Sequence, residues 1–373
     1  MPAVAFYISG HGFGHASREI EIINALGRRL PWGWRILIRT AAARWLFDRT
    51  LTTPVLFLEG ACDTGVVQID SVRLDEEATA RAAADFYQSF VQRAETEAAL
   101  LREHDVRLVI ADAPPLACAA AAAADIPSIV ISNFTWDWIY SGYADAFASF
   151  APGVIPAIAS AYSAAAAGWR LPMHGGFETV PLLLDLPFVA RHARPEHTRN
   201  NVFQTLSIPA NHPVVLFSFG GYGLDEFDPS QLDCLSSWTV ALTGRDGPSN
   251  AVPDGVVYVD EADMYSAGLR YEDLVAAVDV VASKPGYGII SECVANNTAM
   301  LYTSRGKFLE YDVMVREMPR VLRCQFLDLP SLVAGRWRDA LDTLLASPSP
   351  PTRPRTDGAE ITSLMIGAAA GLG

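Results

Sequence analysis

A short apolar run followed by a glycine-rich turn occurs twice in this chain. The first run, residues 4–8, leads into the turn 10–14, and an amphipathic helical pattern follows over 17–30. The second run, 213–218, leads into the turn 219–223. A parallel sheet presents reactive loops above its strand ends through this order of strand, turn and helix. The repeat predicts an α/β protein made of two Rossmann-like units that face one another.

Alternating apolar and helical segments continue after each of these turns. The predicted strands are 4–9, 35–39, 55–59, 106–111 and 128–132 in the first half, and 213–218, 238–243, 256–259, 278–282 and 299–303 in the second. The predicted helices of the first half are 17–30, 78–104 and 115–124. A chain of 373 residues is long enough for two cores. We therefore expect domains at 1–186 and 187–373, with a last short helix at 361–372 that could return to the first domain.

Composition restricts the class of partner. Hydrophobic residues make up 50% of the chain and charged residues 19%, which is typical of a globular protein. The formal net charge of −14 argues against a nucleic acid partner and against attachment to anionic lipid, since both need a basic face. The alanine-rich run 117–124 is too short to cross a bilayer, so no stable membrane insertion is expected.

Five dispersed cysteines, without a C-x-x-C pair, fit reduced thiols better than a disulfide framework. The first residues enter the first predicted strand directly and carry no basic segment, so we expect no signal peptide. Both features predict a cytoplasmic protein. The sequence carries no indication of the oligomeric state.

The first glycine turn does not match a dinucleotide fingerprint. The G-x-G-x-x-G pattern that begins at Gly10 has His15 in place of its third glycine. No acidic residue follows the second predicted strand, where residues 36–40 read ILIRT. A nicotinamide or flavin cofactor is therefore disfavoured, and no cofactor is expected.

A second informative segment runs from Asp279 to Glu292. A buried strand ends at about residue 282, a tight loop follows over 283–288, and a helix begins near Gly288. Backbone N–H groups at that helix start, with Ser283 and Lys284 beside them, could hold a diphosphate. Glu292, one turn into the helix, either accepts hydrogen bonds from ribose hydroxyls or is a solvated helix residue.

Three separate segments resemble one family. They are GHGFGHASR at 10–18, NFTWDWIY at 133–140 and SKPGYG at 283–288. In this order they resemble GT-B fold glycosyltransferases, such as the N-acetylglucosaminyltransferase that completes the peptidoglycan lipid precursor. They are more similar still to the glycosyltransferase-like N-terminal region of plant L-arabinokinases and its stand-alone bacterial relatives. The resemblance covers positions 4 to about 320.

The resemblance implies a GT-B fold whose C-terminal domain binds a nucleotide sugar and whose N-terminal domain binds the acceptor. No metal is implied, and the chain has no Asp-x-Asp element. A metal on His11 and His15 is possible by spacing alone. The resemblance also implies that residues 261–273 bind the nucleotide base. Glu310 lies at the position where relatives contact the donor sugar. The residues expected to bind the donor are Gly12, Gly14, Gly220, Gly221, Ser283, Lys284, Gly286, Tyr287, Gly288, Glu292 and Glu310.

The same resemblance implies that His15 is the general base for the acceptor hydroxyl. A carboxylate usually orients such a base, and Asp112 or Asp137 could do so, as each follows a predicted strand. The alternatives are a structural loop histidine at position 15 and a helix cap at Asp112. His11, Trp136 and Trp138 are expected to bind the acceptor, although aromatic residues at this density are equally typical of a core.

The leading prediction is thus a metal-independent, inverting glycosyltransferase that moves a sugar from a nucleotide donor, expected to be UDP-linked, to a small-molecule acceptor. Residues 44–49 could form an apolar patch with a basic rim for a lipid acceptor, but the net charge favours a soluble one. Two alternatives remain open. One is a nucleotide-sugar 2-epimerase on the same fold, for which no set of acidic and histidine groups is identifiable. The other is a non-catalytic nucleotide-sugar-binding domain.

Overall fold

The computed structural model describes residues 1–220, 224, 227–230, 232, 237–244 and 253–372. Within these residues the chain forms two α/β domains, each built on a parallel sheet. The predicted architecture of two Rossmann-like units is therefore confirmed. Both sheets are covered on their two faces by helices and loops, which explains why their central strands are apolar along their whole length.

The N-terminal domain carries a sheet of order β3-β2-β1-β6-β7-β8-β9 and a small antiparallel hairpin, β4-β5. Its strands are β1 (Ala3–Ile8), β2 (Arg35–Thr40), β3 (Val55–Glu59), β4 (Val67–Gln68), β5 (Leu74–Asp75), β6 (Val106–Asp112), β7 (Ser128–Phe134), β8 (Ala167–Gly175) and β9 (Leu183–Asp185). Its helices are α1 (Gly14–Gly27), α2 (Arg44–Thr50), α3 (Glu76–Tyr87), α4 (Phe90–Glu103), α5 (Pro115–Ala123), α6 (Trp136–Ser141), α7 (Ala144–Phe150) and α8 (Val154–Ser163).

The C-terminal domain carries a parallel sheet of order β12-β11-β10-β13-β14-β15. Its strands are β10 (Val214–Phe217), β11 (Thr239–Gly244), β12 (Val256–Asp260), β13 (Val280–Ser283), β14 (Ala299–Tyr302) and β15 (Cys324–Phe326). The helices that follow the first domain are α9 (Arg199–Thr205), α10 (Glu261–Ser266), α11 (Tyr271–Ala277), α12 (Tyr287–Asn296), α13 (Glu310–Val321), α14 (Leu329–Val333), α15 (Arg338–Ala346) and α16 (Gly358–Ala370).

Two sequence predictions need correction. The helix predicted over 78–104 is two helices, α3 and α4, which are separated at Gln88 and Ser89. No strand was predicted between residues 132 and 213, but the structure has the strands β8 and β9 in this region. Strand β8 pairs in parallel with β7 and thereby extends the sheet beyond the strands that the sequence predicted.

The first glycine-rich turn, 10–14, meets the loop 283–288 where the domains face each other. Helix α1 follows β1 and α12 follows β13, so both helices begin above the carboxyl ends of their sheets. A Cβ atom added to Gly288 would lie 3.6 Å from the Cα atom of Gly14. Gly12 has φ +72°, a left-handed conformation that side chains other than glycine rarely adopt. The close approach of these turns places both helix N-termini on one cleft.

Further contacts join the domains at the edges of this cleft. The tip of the β4-β5 hairpin reaches the C-terminal domain, where the Ser71 hydroxyl donates to the carbonyl oxygen of Phe219 (2.5 Å). The neighbouring Val72 is 3% exposed and packs into the core of that domain. Leu186 packs in the N-terminal core and Phe188 in the C-terminal core. The last helix, α16, packs against α1.

Among the described residues, no single helix is long and apolar enough to cross a membrane. Helices α7 and α8 are long and apolar enough only when taken together, and the chain bends by 105° between them. Cys62, Cys118, Cys293 and Cys324 are free thiols, and Cys234 lies outside the described residues.

Candidate active site

A cavity of about 450 Å³ lies between the two domains. The first glycine turn and α1 line one wall, and the ends of β10, β13 and β14 line the other. The sequence-predicted residues that line it are His11, Gly12, Gly14, His15, Trp136, Gly220, Ser283, Lys284, Gly286, Tyr287, Gly288, Glu292 and Glu310. Gly221 lies outside the described residues. Most residues predicted from separate parts of the sequence therefore meet at one site.

His15 forms a hydrogen-bonded pair with Asp112. Its Nδ1 atom lies 3.0 Å from Oδ1 of Asp112, and the two residues are 7% and 0% exposed. Asp112 ends β6, the strand next to β1, which brings its carboxylate beside the start of α1. Because Nδ1 faces the carboxylate, the Nε2 atom of the ring is the nitrogen available to a ligand. Asp112 does not cap the next helix, whose first turn carries no side-chain cap.

Arg18, which the sequence analysis did not select, completes this pair. Its guanidinium donates hydrogen bonds to Oδ1 of Asp112 and to Oδ1 of Asn133. Burial raises the pKa of Asp112, but the positive charge of Arg18 and the His15 ring more than offset it. The pKa of Asp112 therefore lies below its usual value, and the carboxylate is ionised at neutral pH.

Asp137 does not reach His15. Its Oδ1 atom accepts a hydrogen bond from the backbone N–H of Trp138 (3.0 Å), and its Oδ2 atom accepts one from the Thr179 hydroxyl (2.9 Å). Asp137 lies in the first turn of α6, beyond the end of β7, whereas Asp112 belongs to β6. The structure thus brings together one of the two predicted carboxylates and the imidazole, and Asp137 stabilises its own helix start instead.

The predicted acceptor aromatics divide between cleft and core. Trp136 lines the cleft, 5.9 Å from the His11 ring in an edge-to-face arrangement. Its indole N–H donates to Oδ2 of Asp63 (2.9 Å), a residue that the sequence analysis missed. The Trp138 ring instead packs against Gly175, where an added Cβ would lie 2.3 Å from it, and it does not line the cleft. Its predicted acceptor contact therefore has no support in the geometry.

Two cations occupy the opposite wall. Lys284 follows β13 and Arg305 follows β14, and both side chains line the cleft. Burial and the nearby Arg305 charge lower the pKa of Lys284 to about 7. Burial and the positive charges of His15, Arg305 and Lys284 lower the pKa of His11 to about 3. Arg305 is paired with Glu310, yet its charge still lowers the pKa of the buried Lys284. Buried cations that repel one another are typical of a site built for an anionic ligand.

Backbone groups of the same wall complete this environment. Helix α12 begins at Tyr287, and residues of its first turn line the cleft beside Lys284. The first N–H groups of a helix have no partner within the helix and favour an anion. The Ser283 hydroxyl donates to the carbonyl oxygen of Ser218 (2.5 Å), which ties the end of β13 to the end of β10. Gly220 follows directly with φ +70°. The buried Tyr287 hydroxyl has no hydrogen-bond partner in the part of the chain that is described.

Glu292 and Glu310 are both held by arginines. Oε1 of Glu292 accepts two hydrogen bonds from Arg191, one of them from Nε at 2.8 Å. Burial raises the pKa of Glu292, and the Arg191 charge opposes that rise. Oε1 of Glu310 accepts a hydrogen bond from Arg305 (3.0 Å). Glu292 is 4% exposed, so the alternative of a solvated helix residue is excluded.

The segment 261–273, predicted for a nucleotide base, reaches the cleft through aromatic side chains. Tyr265 and Tyr271 line it, and the Tyr271 hydroxyl donates to the Ser218 hydroxyl (2.9 Å). Arg49 of the N-terminal domain stacks between Trp45 and Tyr265, at 5.0 Å and 4.9 Å from the two rings. These contacts join the N-terminal domain to the segment 261–273 beside the cleft.

No group of three or more His, Cys, Asp or Glu side chains that could hold a metal ion exists within the described residues. Within these residues, His11 and His15 therefore have no third His, Cys, Asp or Glu side chain placed to bind a metal ion with them. The chemistry that the cleft offers is a buried imidazole with a carboxylate on one wall, facing cations and a helix N-terminus on the other.

No protein-family profile matches this sequence. L-arabinokinase of Arabidopsis thaliana is 28% identical over 343 residues, which cover 91% of this chain and 32% of that protein. The chain thus spans about a third of the length of this relative. The resemblance expected from the three sequence segments is confirmed.

Solved structures of glycosyltransferases superimpose on the whole chain. The glycosyltransferase of kitacinnamycin covers 99% of this chain and 97% of its own, with a TM-score of 0.63 at 16% identity. The superposition with VinC in complex with dTDP covers 100% of each chain, with a TM-score of 0.55 at 16% identity. The superposition with Phytolacca americana UGT2, complexed with UDP-2-fluoroglucose and pterostilbene, covers 100% of this chain and 94% of that chain. Its TM-score is 0.58 at 11% identity. The chain has the GT-B fold, as the resemblance implied.

Proposed function

We propose that this protein is a glycosyltransferase that moves a sugar from a nucleoside diphosphate sugar to a hydroxyl group of a small acceptor. The observation that carries the proposal is the position of the His15–Asp112 pair, across one cleft from Lys284, Arg305 and the start of α12. The first wall supplies a base for a hydroxyl group. The second wall supplies positive charge for a diphosphate leaving group.

In the proposed reaction, Nε2 of His15 takes the proton of the acceptor hydroxyl. The acceptor oxygen attacks the anomeric carbon while the bond from that carbon to the diphosphate oxygen breaks. Both electrons of the broken bond leave with the nucleoside diphosphate. A single displacement with the base on one wall and the leaving group on the other inverts the anomeric configuration. Asp112 stabilises the imidazolium that forms.

The charge that develops on the leaving diphosphate needs a counterpart in the site. Lys284, Arg305 and the N–H groups at the start of α12 supply it without a metal ion or cofactor. Gly220 and the hydroxyl-rich strand ends allow the phosphates to approach the backbone closely. These features support metal-independent transfer.

A pyrimidine nucleotide is the donor class that we favour, with UDP as the first candidate. VinC holds dTDP and UGT2 holds a UDP-linked sugar, and both superimpose on this chain. Tyr265 and Tyr271 offer aromatic faces at the end of the cleft where the base would lie. Glu292 is proposed to accept from a ribose hydroxyl, and Glu310 from a sugar hydroxyl.

The acceptor side is apolar and aromatic. Phe13, Trp45, Phe134 and Trp136 line it, and the low pKa of His11 keeps that ring neutral. The indole N–H of Trp136 is already bound by Asp63, so this residue offers only its ring. We therefore propose a small, uncharged acceptor with a flat apolar face that carries a hydroxyl group.

The proposal is tested by calorimetric titration with UDP, dTDP, GDP and NAD, followed by a screen for diphosphate release. The screen uses UDP- and dTDP-sugars with a panel of hydroxylated aromatic acceptors. Binding of one diphosphate, with release that depends on an acceptor, would support the transferase. Release of the nucleotide and a glycal without an acceptor would indicate an epimerase. Binding without turnover on any sugar would indicate a sensor domain, and no binding at all would refute the donor site.

Glu292 offers a sharper test of the donor wall. In Glu292→Gln and Glu292→Ala we expect nucleotide affinity to fall about 10- to 100-fold, since a charge-assisted hydrogen bond is lost. Arg191 would keep Glu272, at 3.4 Å, as its remaining partner, so the melting temperature should fall only modestly. Calorimetry and thermal denaturation measure the two effects. Glu95→Gln, on the exposed face of α4, is the matched control. Unchanged affinity in both Glu292 variants would contradict the ribose contact.

A further inference from the structure

We propose that Arg18 is a positioning residue that keeps the Asp112 carboxylate ionised and directed at His15. The inference rests on the proposed function only where it concerns turnover. Arg18 lies three residues after His15 on α1, so both side chains leave the same face of the helix. Arg18 ends the segment 10–18 that carries part of the resemblance, but only the geometry brings it to the carboxylate.

The contacts of Arg18 fix its guanidinium at two points. Nη2 donates to Oδ1 of Asp112 and lies 3.2 Å from Nδ1 of His15. Nη1 donates to Oδ1 of Asn133, whose amide in turn donates to the carbonyl oxygen of Pro172 (2.7 Å). The side chain of Arg18 is 10% exposed and that of Asp112 is fully buried. The cation is therefore anchored to the sheet independently of the carboxylate that it neutralises.

Asp112 needs such a partner because its surroundings are otherwise unfavourable to a negative charge. Its Oδ2 atom is buried, and no group within the described residues donates a hydrogen bond to it. The charged and titratable groups that interact with Asp112 are His15, Arg18, Glu19 and Asp63, and the last two are acids. Glu19 is fully buried on α1, and its nearest cation is again Arg18, with Nε at 3.9 Å from its carboxylate. Without Arg18, burial would favour the protonated form of Asp112.

Protonation of Asp112 would change what His15 can do. An ionised carboxylate accepts from Nδ1–H, which leaves Nε2 unprotonated toward the cleft and stabilises the imidazolium formed when Nε2 takes a proton. A neutral carboxylic acid gives neither support. Arg18 would thus control the base through Asp112.

The experiment compares Arg18→Gln and Arg18→Lys with wild-type protein in the absence of substrate. The Asp112 carboxyl titration is followed by 13C NMR and the His15 tautomer by 15N NMR, with Asp112→Asn and His15→Gln to assign the signals. We expect Asp112 to titrate at higher pH in Arg18→Gln, with loss of the Nδ1–H tautomer. Arg18→Lys should keep both signatures close to wild type. Arg107→Gln, which removes an exposed arginine paired with Asp105, is the matched control.

Turnover supplies the second readout. Diphosphate release should fall about 10- to 100-fold in Arg18→Gln, with the acidic limb of the kcat/KM profile moved to higher pH. Added guanidinium should restore part of the rate.

Should Arg18→Gln not fold, Asn133→Ala removes the anchor while keeping the charge and should give a smaller change in the same direction. An Asp112 titration and His15 tautomer that are unchanged in Arg18→Gln would overturn the inference. If Arg18→Gln showed the expected NMR changes but the wild-type protein had no turnover, the proposed function would be contradicted and the inference about Arg18 would stand.

Discussion

Replacement of His15 by alanine is expected to lower acceptor-dependent release of nucleoside diphosphate about 100- to 10,000-fold, the usual contribution of a general base. Nucleotide affinity should stay within about twofold, because His15 lies on the wall opposite Lys284 and the start of α12. The imidazole contributes only when the acceptor oxygen loses its proton. The loss should therefore appear in kcat and not in the dissociation constant of the nucleotide.

The measurement is single-turnover release of the diphosphate together with calorimetry on the same variant. Asp112→Asn should give a comparable loss of turnover, since an amide can present either its oxygen or its N–H to Nδ1 and no longer stabilises the imidazolium. His212→Ala, which removes an exposed histidine just before the amino end of β10, the end opposite to the cleft, is the matched control. Full activity in His15→Ala would show that the acceptor is deprotonated by another group, and the catalytic role of the pair would be wrong.

The difference between Asp112 and Asp137 shows what the sequence could not supply. Both follow apolar strands, and strand ends are where ligands bind in open sheets, so both were reasonable partners for His15. The order of strands in the sheet decides between them. Strand β6 is paired to β1 and β7 is one strand farther away. Sequence order does not fix which strands become neighbours, because a crossover can return to either side of the first strand.

The fold itself was largely predictable, because periodicity and glycine turns act locally. The central strands of both sheets were predicted to within one or two residues at their ends. The break between α3 and α4 was missed because residues 88 and 89 interrupt neither the apolar period nor the helix-forming composition strongly. Strand β8 was missed because Pro172 and two flanking glycines hid an alternating pattern.

Within the site, the local motifs were easier to find than the groups that converge on them. Arg305 could have been selected by the rule that found Lys284, since each follows a buried strand of the second sheet at its carboxyl end. Arg18 and Asp63 had no such signal. Their roles depend on contacts with residues 94 and 73 positions away, Asp112 and Trp136. Only the folded chain makes those contacts visible.

Lys284 carries the second large expected effect. Lys284→Met should weaken binding of UDP about 10- to 100-fold, because a buried charge-assisted contact to phosphate is lost, and should leave binding of uridine without phosphates unchanged. Lys307→Met is the matched control, since that lysine is 77% exposed and pairs with Glu76 on the surface. A diphosphate affinity that is the same in both variants would contradict the anion site.

The lowered pKa of Lys284 makes the same contact dependent on pH. In the free protein its pKa is about 7, owing to burial and the Arg305 charge, so much of it is uncharged at pH 8. A bound diphosphate favours the charged form and raises that pKa, so binding at pH 8 takes up a proton. Affinity should therefore be highest below pH 7 and fall as the pH rises above it, by at most about tenfold per unit for one proton.

Calorimetry at pH 8 in buffers of different ionisation enthalpy measures this proton uptake directly. Wild-type protein should take up a fraction of a proton with UDP, and Lys284→Met should take up none. Arg305→Met should show less uptake at pH 8 than wild type, because removing the neighbouring charge lets Lys284 stay protonated in the free protein. Equal uptake in wild type and Lys284→Met would assign the proton to another group.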